Sequence, residues 1–265
     1  MRLIDTHAHL CDDAFDVDRE ERIVRALDSS VTAIINAGTE ESSSRAAAEL
    51  ARRPGLWAVA GVHPHQAAAA ADRGLDWLEE MLRLDGVLGV GEIGLDYHYD
   101  FSPCPVQIQV FRQQLAIAAE HRVPVVVHNR EADEDCLDAL RRELPPGHPV
   151  LLHCFSGGID LMRRVLELGY HIGLGGIVTF ANARETREVA REVPLERLVL
   201  ETDSPYLAPH PKRGRRNEPA LVRHVAERIS QIRQMALEDL AGRTTAAAEG
   251  FFGRRLDGEA GSCSI

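Results

Sequence analysis

The sequence predicts a single-domain α/β protein, a (β/α)8 TIM barrel with a metal site at the carboxyl-terminal rim of its strands. Three observations predict it. Short β-rich runs alternate with amphipathic helical stretches along the whole chain, the runs number eight, and most of them end in a histidine or a carboxylate.

The first run, residues 3–7, starts almost at the amino terminus and leads into Asp5-Thr6-His7-Ala8-His9. Helical residues 19–27 precede the second run, 31–37, and helical residues 45–51 precede the third, 56–61, which is followed by His63-Pro64-His65. After 77–84 the fourth run, 87–91, ends in Gly89-Val90-Gly91 and passes into Glu92-Ile93-Gly94-Leu95-Asp96. The long stretch 107–120 leads to the fifth run, 123–127, with Val125, Val126 and Val127 ahead of His128. Residues 136–144 lead to the sixth, 149–152, whose Val150, Leu151 and Leu152 precede His153. Helical residues 161–168, the seventh run 171–174 and helical residues 186–193 bring the chain to the eighth run, 198–201, followed by Thr202-Asp203. Helical residues 219–232 and 237–252 complete a domain of residues 1–256, and the small, polar residues 257–265 are expected to fray. Continuous apolar runs are what parallel strands covered on both faces require, and eight such units favour closure over an open sheet.

Composition narrows the function. Hydrophobic residues make up 45% and charged residues 27%, ordinary for a soluble globular chain. No apolar run approaches the roughly 18 residues of a membrane span, so no membrane partner and a cytoplasmic location are expected. The five cysteines are scattered and never form CxxC, which argues against a disulfide framework and a cysteine-built zinc site. A formal net charge of -11 disfavours general attraction to nucleic acid, so any such contact must be local.

In a parallel barrel the loops after the strands share one face, so six strand ends deliver metal-capable groups to a common rim. His7 and His9, one residue apart on an extended strand, point the same way. Imidazole suits zinc, and carboxylate also admits manganese and magnesium. Six donors, His7, His9, Glu92, His128, His153 and Asp203, exceed the needs of one tetrahedral ion. They suit two divalent ions about 3.5 to 4 Å apart sharing a carboxylate, with Glu92 on a middle strand as the bridge. Asp203, where Pro205 turns the chain off its strand, is a ligand or a general base. His63 faces the substrate or backs a ligand, and Cys154 is read as packing. Lys212-Arg213-Gly214-Arg215-Arg216 stands out in an acidic chain. Arg213, Arg215 and Arg216, with His65, are candidate phosphate contacts, a solvated loop being the alternative.

These blocks, in this order, resemble the TatD family of metal-dependent nucleases, a branch of the amidohydrolase-like metal barrels. The likeness runs from Asp5-Thr6-His7-Ala8-His9-Leu10 through Gly91-Glu92-Ile93-Gly94-Leu95-Asp96, Val127-His128-Asn129-Arg130 and His153-Cys154-Phe155-Ser156-Gly157 to Glu201-Thr202-Asp203-Ser204-Pro205 and Gly214-Arg215-Arg216-Asn217-Glu218-Pro219. It implies metal binding at the six donors and a DNase that hydrolyses phosphodiester bonds. One departure is Thr244-Thr245-Ala246-Ala247, with alanine where such proteins commonly carry asparagine, which puts the docking of the final helix in question.

The expected function is hydrolysis of DNA from single-strand ends by a metal-activated water, with Asp203, Glu92 and His63 as catalytic groups. Two alternatives stand beside it: an amidohydrolase or lactonase on the same barrel, and a non-catalytic metal-binding scaffold. A carbamylated-lysine bridge is not available, because the strand ends contain no lysine.

Overall fold

A computed structural model describes residues 1–99 and 101–256; the expected frayed tail, 257–265, lies outside the described residues. The elements are β1 (Leu3–Ala8), α1 (Arg19–Asp28), β2 (Val31–Ala37), α2 (Glu41–Leu50), β3 (Leu56–Ala60), α3 (Ala67–Arg73), α4 (Asp76–Leu82), β4 (Val87–Asp96), α5 (Cys104–His121), β5 (Val125–Arg130), α6 (Asp133–Glu143), β6 (Val150–Leu152), α7 (Ile159–Glu167), β7 (His171–Leu174), α8 (Arg184–Glu192), β8 (Leu198–Leu200), α9 (Val222–Arg233) and α10 (Leu237–Phe252). The eight strands are parallel and neighbour one another in chain order, as the (β/α)8 reading requires. Among the described residues no helix is long and apolar enough to cross a membrane.

The seam between β1 and β8 is closed mainly by residues flanking the strands. Ala8 bridges Ser204, the Asp203 amide donates to the His7 carbonyl (2.9 Å) and the His9 amide to the Ser204 carbonyl (2.7 Å). Behind them the fully buried Asp5 accepts from the Thr202 amide (2.8 Å) and hydroxyl (2.6 Å). Burial pushes the Asp5 carboxyl up to about 8, although the Thr202 hydrogen bonds pull the other way. The seam therefore fixes His7, His9 and Asp203 against one another.

The opposite end of the barrel is plugged. Ile4, Ile35, Trp57, Val59, Val126, Leu151 and Val199, from six of the strands, form one buried cluster with Ala247, Ala248, Phe251 and Phe252 of α10. Each buried phenyl ring contributes roughly 1.5 to 3 kcal/mol. Thr245 donates to the Arg2 carbonyl (3.1 Å), Arg2 pairs with Glu249 (2.9 Å), and the Arg254 guanidinium lies 4.2 Å from the Trp57 ring centroid. The helix docks in spite of its alanines. A larger cluster, including Leu3, Ile34, Val90, Val127, Leu152 and Leu200, fills the layer between strands and outer helices.

Several boundaries differ from the sequence expectation, each for a physical reason. The fifth strand begins at Val125, not Val123, because Pro124 has no amide to donate and only its carbonyl pairs, with the Val90 amide (2.9 Å). The fourth runs on to Asp96 because its partner β5 continues alongside, Gly94 opposite His128 and Asp96 opposite Arg130. That approach needs glycine: at Gly94, with φ of 145°, a Cβ would collide with the His128 carbonyl oxygen. The helix α3, in an alanine-rich stretch after His65, was not expected at all.

Candidate metal centre

The carboxyl ends of the strands surround a pit. His7 and His9 enter from β1 and the turn after it, Glu92 from β4, His128 from β5, His153 from just past β6, and Asp203 from just past β8. His63 and His65 come from the turn after β3. All six expected ligands meet here, as does His63.

Glu92, 3% exposed, stands at the centre with its two oxygens facing different donors. Oε2 lies 3.3 Å from Nε2 of His7 and 3.4 Å from Nε2 of His9. Oε1 lies 2.7 Å from Nε2 of His153, 3.0 Å from Nδ1 of His128 and 3.5 Å from Nε2 of His63. His9 Nε2 is also 3.4 Å from Asp203 Oδ1, and the ring of His7 stacks on that of His153 at 3.8 Å. Three overlapping sets, His7 with His9 and Glu92, His7 with His153 and Asp203, and His63 with Glu92 and His128, each bring one ligand-capable atom per residue within 4.8 Å of the others.

The outer hydrogen bonds decide which nitrogens face the pit. Nδ1 of His9 lies 3.2 Å from the Ala37 carbonyl, an acceptor only, so it carries a proton and frees Nε2 for a ligand. His128 is held from behind by Asp96, whose Oδ2 is 3.0 Å from Nε2, leaving Nδ1 toward Glu92. Asp96 also takes His65 Nε2 on Oδ2 (3.1 Å) and the His98 and Tyr99 amides on Oδ1 (3.0 Å each). His63 differs. Its Nδ1 accepts the His65 amide (3.2 Å), so the neutral ring bears its proton on Nε2, aimed at Glu92, and is a donor rather than a ligand.

Electrostatics fit divalent cations. Burial disfavours charge on Glu92, yet the imidazoles of His153, His63 and His7 hold its carboxyl well below the usual range. Burial also opposes charge on His9 and His128, but Asp203 and Glu92 raise the first to about 9, and Asp96 and Glu92 raise the second to about 9. His7, buried and beside His153, falls to about 4, and burial takes His63 well below its ordinary value. Three carboxylates thus draw positive charge into a pit lined with imidazoles, where protons and divalent ions compete for the same nitrogens.

Two further carboxylates stand behind the imidazoles, Asp96 and Glu201, and of these only Glu201 drew no functional reading from the sequence. Asp96 shares a face of the extended β4 with Glu92, four residues before it, and that even spacing was the available signal. Glu201, fully buried, accepts the Cys154 amide on Oε1, which also lies 3.9 Å from Nδ1 of His153. Burial pushes its carboxyl up to about 7 against the attraction of His153. It fits only because residue 173 is glycine, where a Cβ would run into its Oε2. Cys154 lies beyond β6, which stops at Leu152, and has φ of 45°. Burial and the neighbouring Asp203, Glu201 and Glu92 push its thiol well up, which keeps it a packing group.

The basic loop divides. Lys212, Arg213 and Arg215 are exposed, with the Arg213 guanidinium 3.7 Å from the centroid of Phe180. Arg216 is instead paired with Asp18 at 2.5 Å and lies over Phe15 at 4.8 Å. Its charge is committed to the fold.

Comparison with known proteins gives a consistent result. Residues 4–253 match the family described as TatD related DNase. YabD of Bacillus subtilis strain 168, an uncharacterized metal-dependent hydrolase, is 39% identical over 251 residues, covering 94% of this chain and 98% of its own. A 3'-5' ssDNA/RNA exonuclease TatD of Erwinia amylovora is 34% identical over 258 residues, covering 95% of this chain and all of its own. The crystal structure of YJJV, a TatD homolog from Escherichia coli K12, superposes with a TM-score of 0.86 at 30% identity, over 95% of this chain and 98% of that one.

Proposed function

The chain belongs to the TatD-related DNase family, and on that premise we propose that this metal-dependent hydrolase removes nucleotides from the ends of single-stranded DNA, using two divalent ions held by His7, His9, Glu92, His128, His153 and Asp203. The observation that carries the reading is the two-sided environment of Glu92, with His7 and His9 at one oxygen and His128 and His153 at the other. A carboxylate so placed would serve both ions. The exonuclease name of the Erwinia relative supports a nucleic-acid strand as the substrate.

When bound, zinc, manganese or magnesium ions would polarise a phosphoryl oxygen and lower the pKa of a water. Four neutral imidazoles and two carboxylates carry a formal charge of about -2, so two divalent ions bring the site to about +2, suited to a phosphodiester. Asp203, at the edge of the pit beside His9, orients the attacking water and takes its proton. His63 offers its Nε2 proton to a phosphoryl oxygen or the leaving oxygen. Lys212 is the only lysine of the chain and is exposed, so no lysine bridges the metals in the manner of many amidohydrolases.

The test is metal analysis of the purified protein followed by product analysis on an end-labelled oligonucleotide with zinc, manganese or magnesium supplied in turn. Two ions per chain and a ladder shortened from one end are expected. An intact oligonucleotide alongside rapid hydrolysis of a carboxylic ester or lactone would replace this reading with the other hydrolase class.

A further inference from the structure

Among the described residues the large exposed aromatic side chains are Tyr99 (42%), Phe101 (66%) and Tyr206 (52%), and all three follow β4 or β8 at the rim of the pit. Rings this exposed add less to the fold than their size would allow. Tyr99 and Phe101 are stacked on each other, with centroids 5.5 Å apart and planes 22° from parallel. Both meet the His65 ring edge-on, at 5.6 and 4.8 Å. His65 in turn is hydrogen-bonded to Asp96 and touches His63 at 4.3 Å. The pair is therefore anchored one side chain away from the pit, and the Asp96 carboxylate that holds His128 also grips the Tyr99 amide. Arg130, at the end of β5, lies 4.8 Å from the Tyr99 centroid and has no carboxylate partner among the described residues.

We infer that Tyr99 and Phe101 form a stacking platform for a nucleobase of the strand fed into the pit, with Arg130 taking the adjoining phosphate. The inference rests on the phosphodiesterase reading above and names what selects the substrate. A chain of net charge -11 offers a polyanion no general attraction, so the strand needs a local hold. Stacking supplies it and tolerates any base, because every base has a π-face. Stacking also selects single strands, whose base faces are free, over duplexes, whose faces cover one another.

The experiment uses the full chain, wild type, Phe101→Ala and Phe101→Trp. Binding of a fluorescent single-stranded oligonucleotide is followed by anisotropy in EDTA, and KM is measured with metal on the same strand carrying an abasic residue at each of the terminal positions in turn. The expected result is a loss of affinity on the order of ten-fold for Phe101→Ala, recovered by Phe101→Trp. One abasic position should weaken the wild type by a comparable factor and leave Phe101→Ala indifferent. Equal affinity of wild type and Phe101→Ala, or an abasic penalty of the same size in both, would overturn the platform. A wild type that binds with this pattern but does not cut sustains the platform and overturns the nuclease reading; one that neither binds nor cuts overturns both.

Discussion

Asp96 Oδ2 stands 3.0 Å from Nε2 of His128, on the far side of the ring from the Nδ1 that meets Glu92 at 3.0 Å. Because Asp96 uses its other oxygen for the His98 and Tyr99 amides, substitution by asparagine can keep the turn and remove only the carboxylate behind the imidazole. Asp96→Asn should weaken divalent-ion binding by about 10- to 100-fold, measured by competition against a chelator at fixed pH, with little change in Tm. Unaltered metal affinity would reduce Asp96 to a turn residue.

Glu92→Gln and Asp203→Asn separate bridge from base. Glu92→Gln removes the charge that both donor sets share, so metal analysis should find fewer ions bound and turnover should vanish. Asp203→Asn should retain more metal and lose about 10²- to 10⁴-fold in kcat, as expected for a lost proton acceptor. Circular dichroism should match the wild type in both cases. Full turnover in either variant would remove that residue from the reaction.

The arginines of the basic loop should split into two classes. Reversing charge at the exposed Arg213 or Arg215 should raise KM for an oligonucleotide and flatten its dependence on salt. Arg216→Ala should instead lower stability by about 1 kcal/mol, since Arg216 is bound to Asp18 and lies over Phe15. Urea titration and salt-dependent kinetics distinguish the two effects, and a KM change at Arg216 as large as at Arg213 would contradict the division.

Much of this was legible in the sequence because its strongest signals are positional. Eight apolar runs specify eight parallel strands, and a barrel puts whatever ends those runs on one rim, so His7, Glu92, His153 and Asp203 could be brought together without coordinates. Asp96 and Glu201 were less legible because their roles depend on which atom lies behind a ring, and that depends on register and on glycines at 94 and 173 that admit a neighbour closely. Arg216 was misleading for a related reason. A run of basic residues says nothing about whether an acid such as Asp18, nearly 200 residues away in the chain, has already claimed one of them.

At the plugged end of the barrel His171 should make stability depend on pH, independently of the metal pit. It is 7% exposed on β7, its Nδ1 has no partner, and its ring lies 5.2 Å from that of Phe251. Burial, with help from the Arg197 charge, lowers its pKa from 6.5 to about 4. Above pH 6.5 the residue is neutral in both folded and unfolded chains, so its environment is fully compatible with folding. As pH falls from 6.5 toward 4 only the unfolded chain takes up the proton, and stability is lost across that window, by up to about 3 kcal/mol. His171→Leu should be free of this component. Urea unfolding of both proteins in EDTA, from pH 7.5 to 4.5, should therefore show the wild type losing stability relative to the variant as acid is added. The metal-site histidines titrate in both chains and cancel in the difference, so a gap that stays constant with pH would show that His171 takes up its proton as readily folded as unfolded.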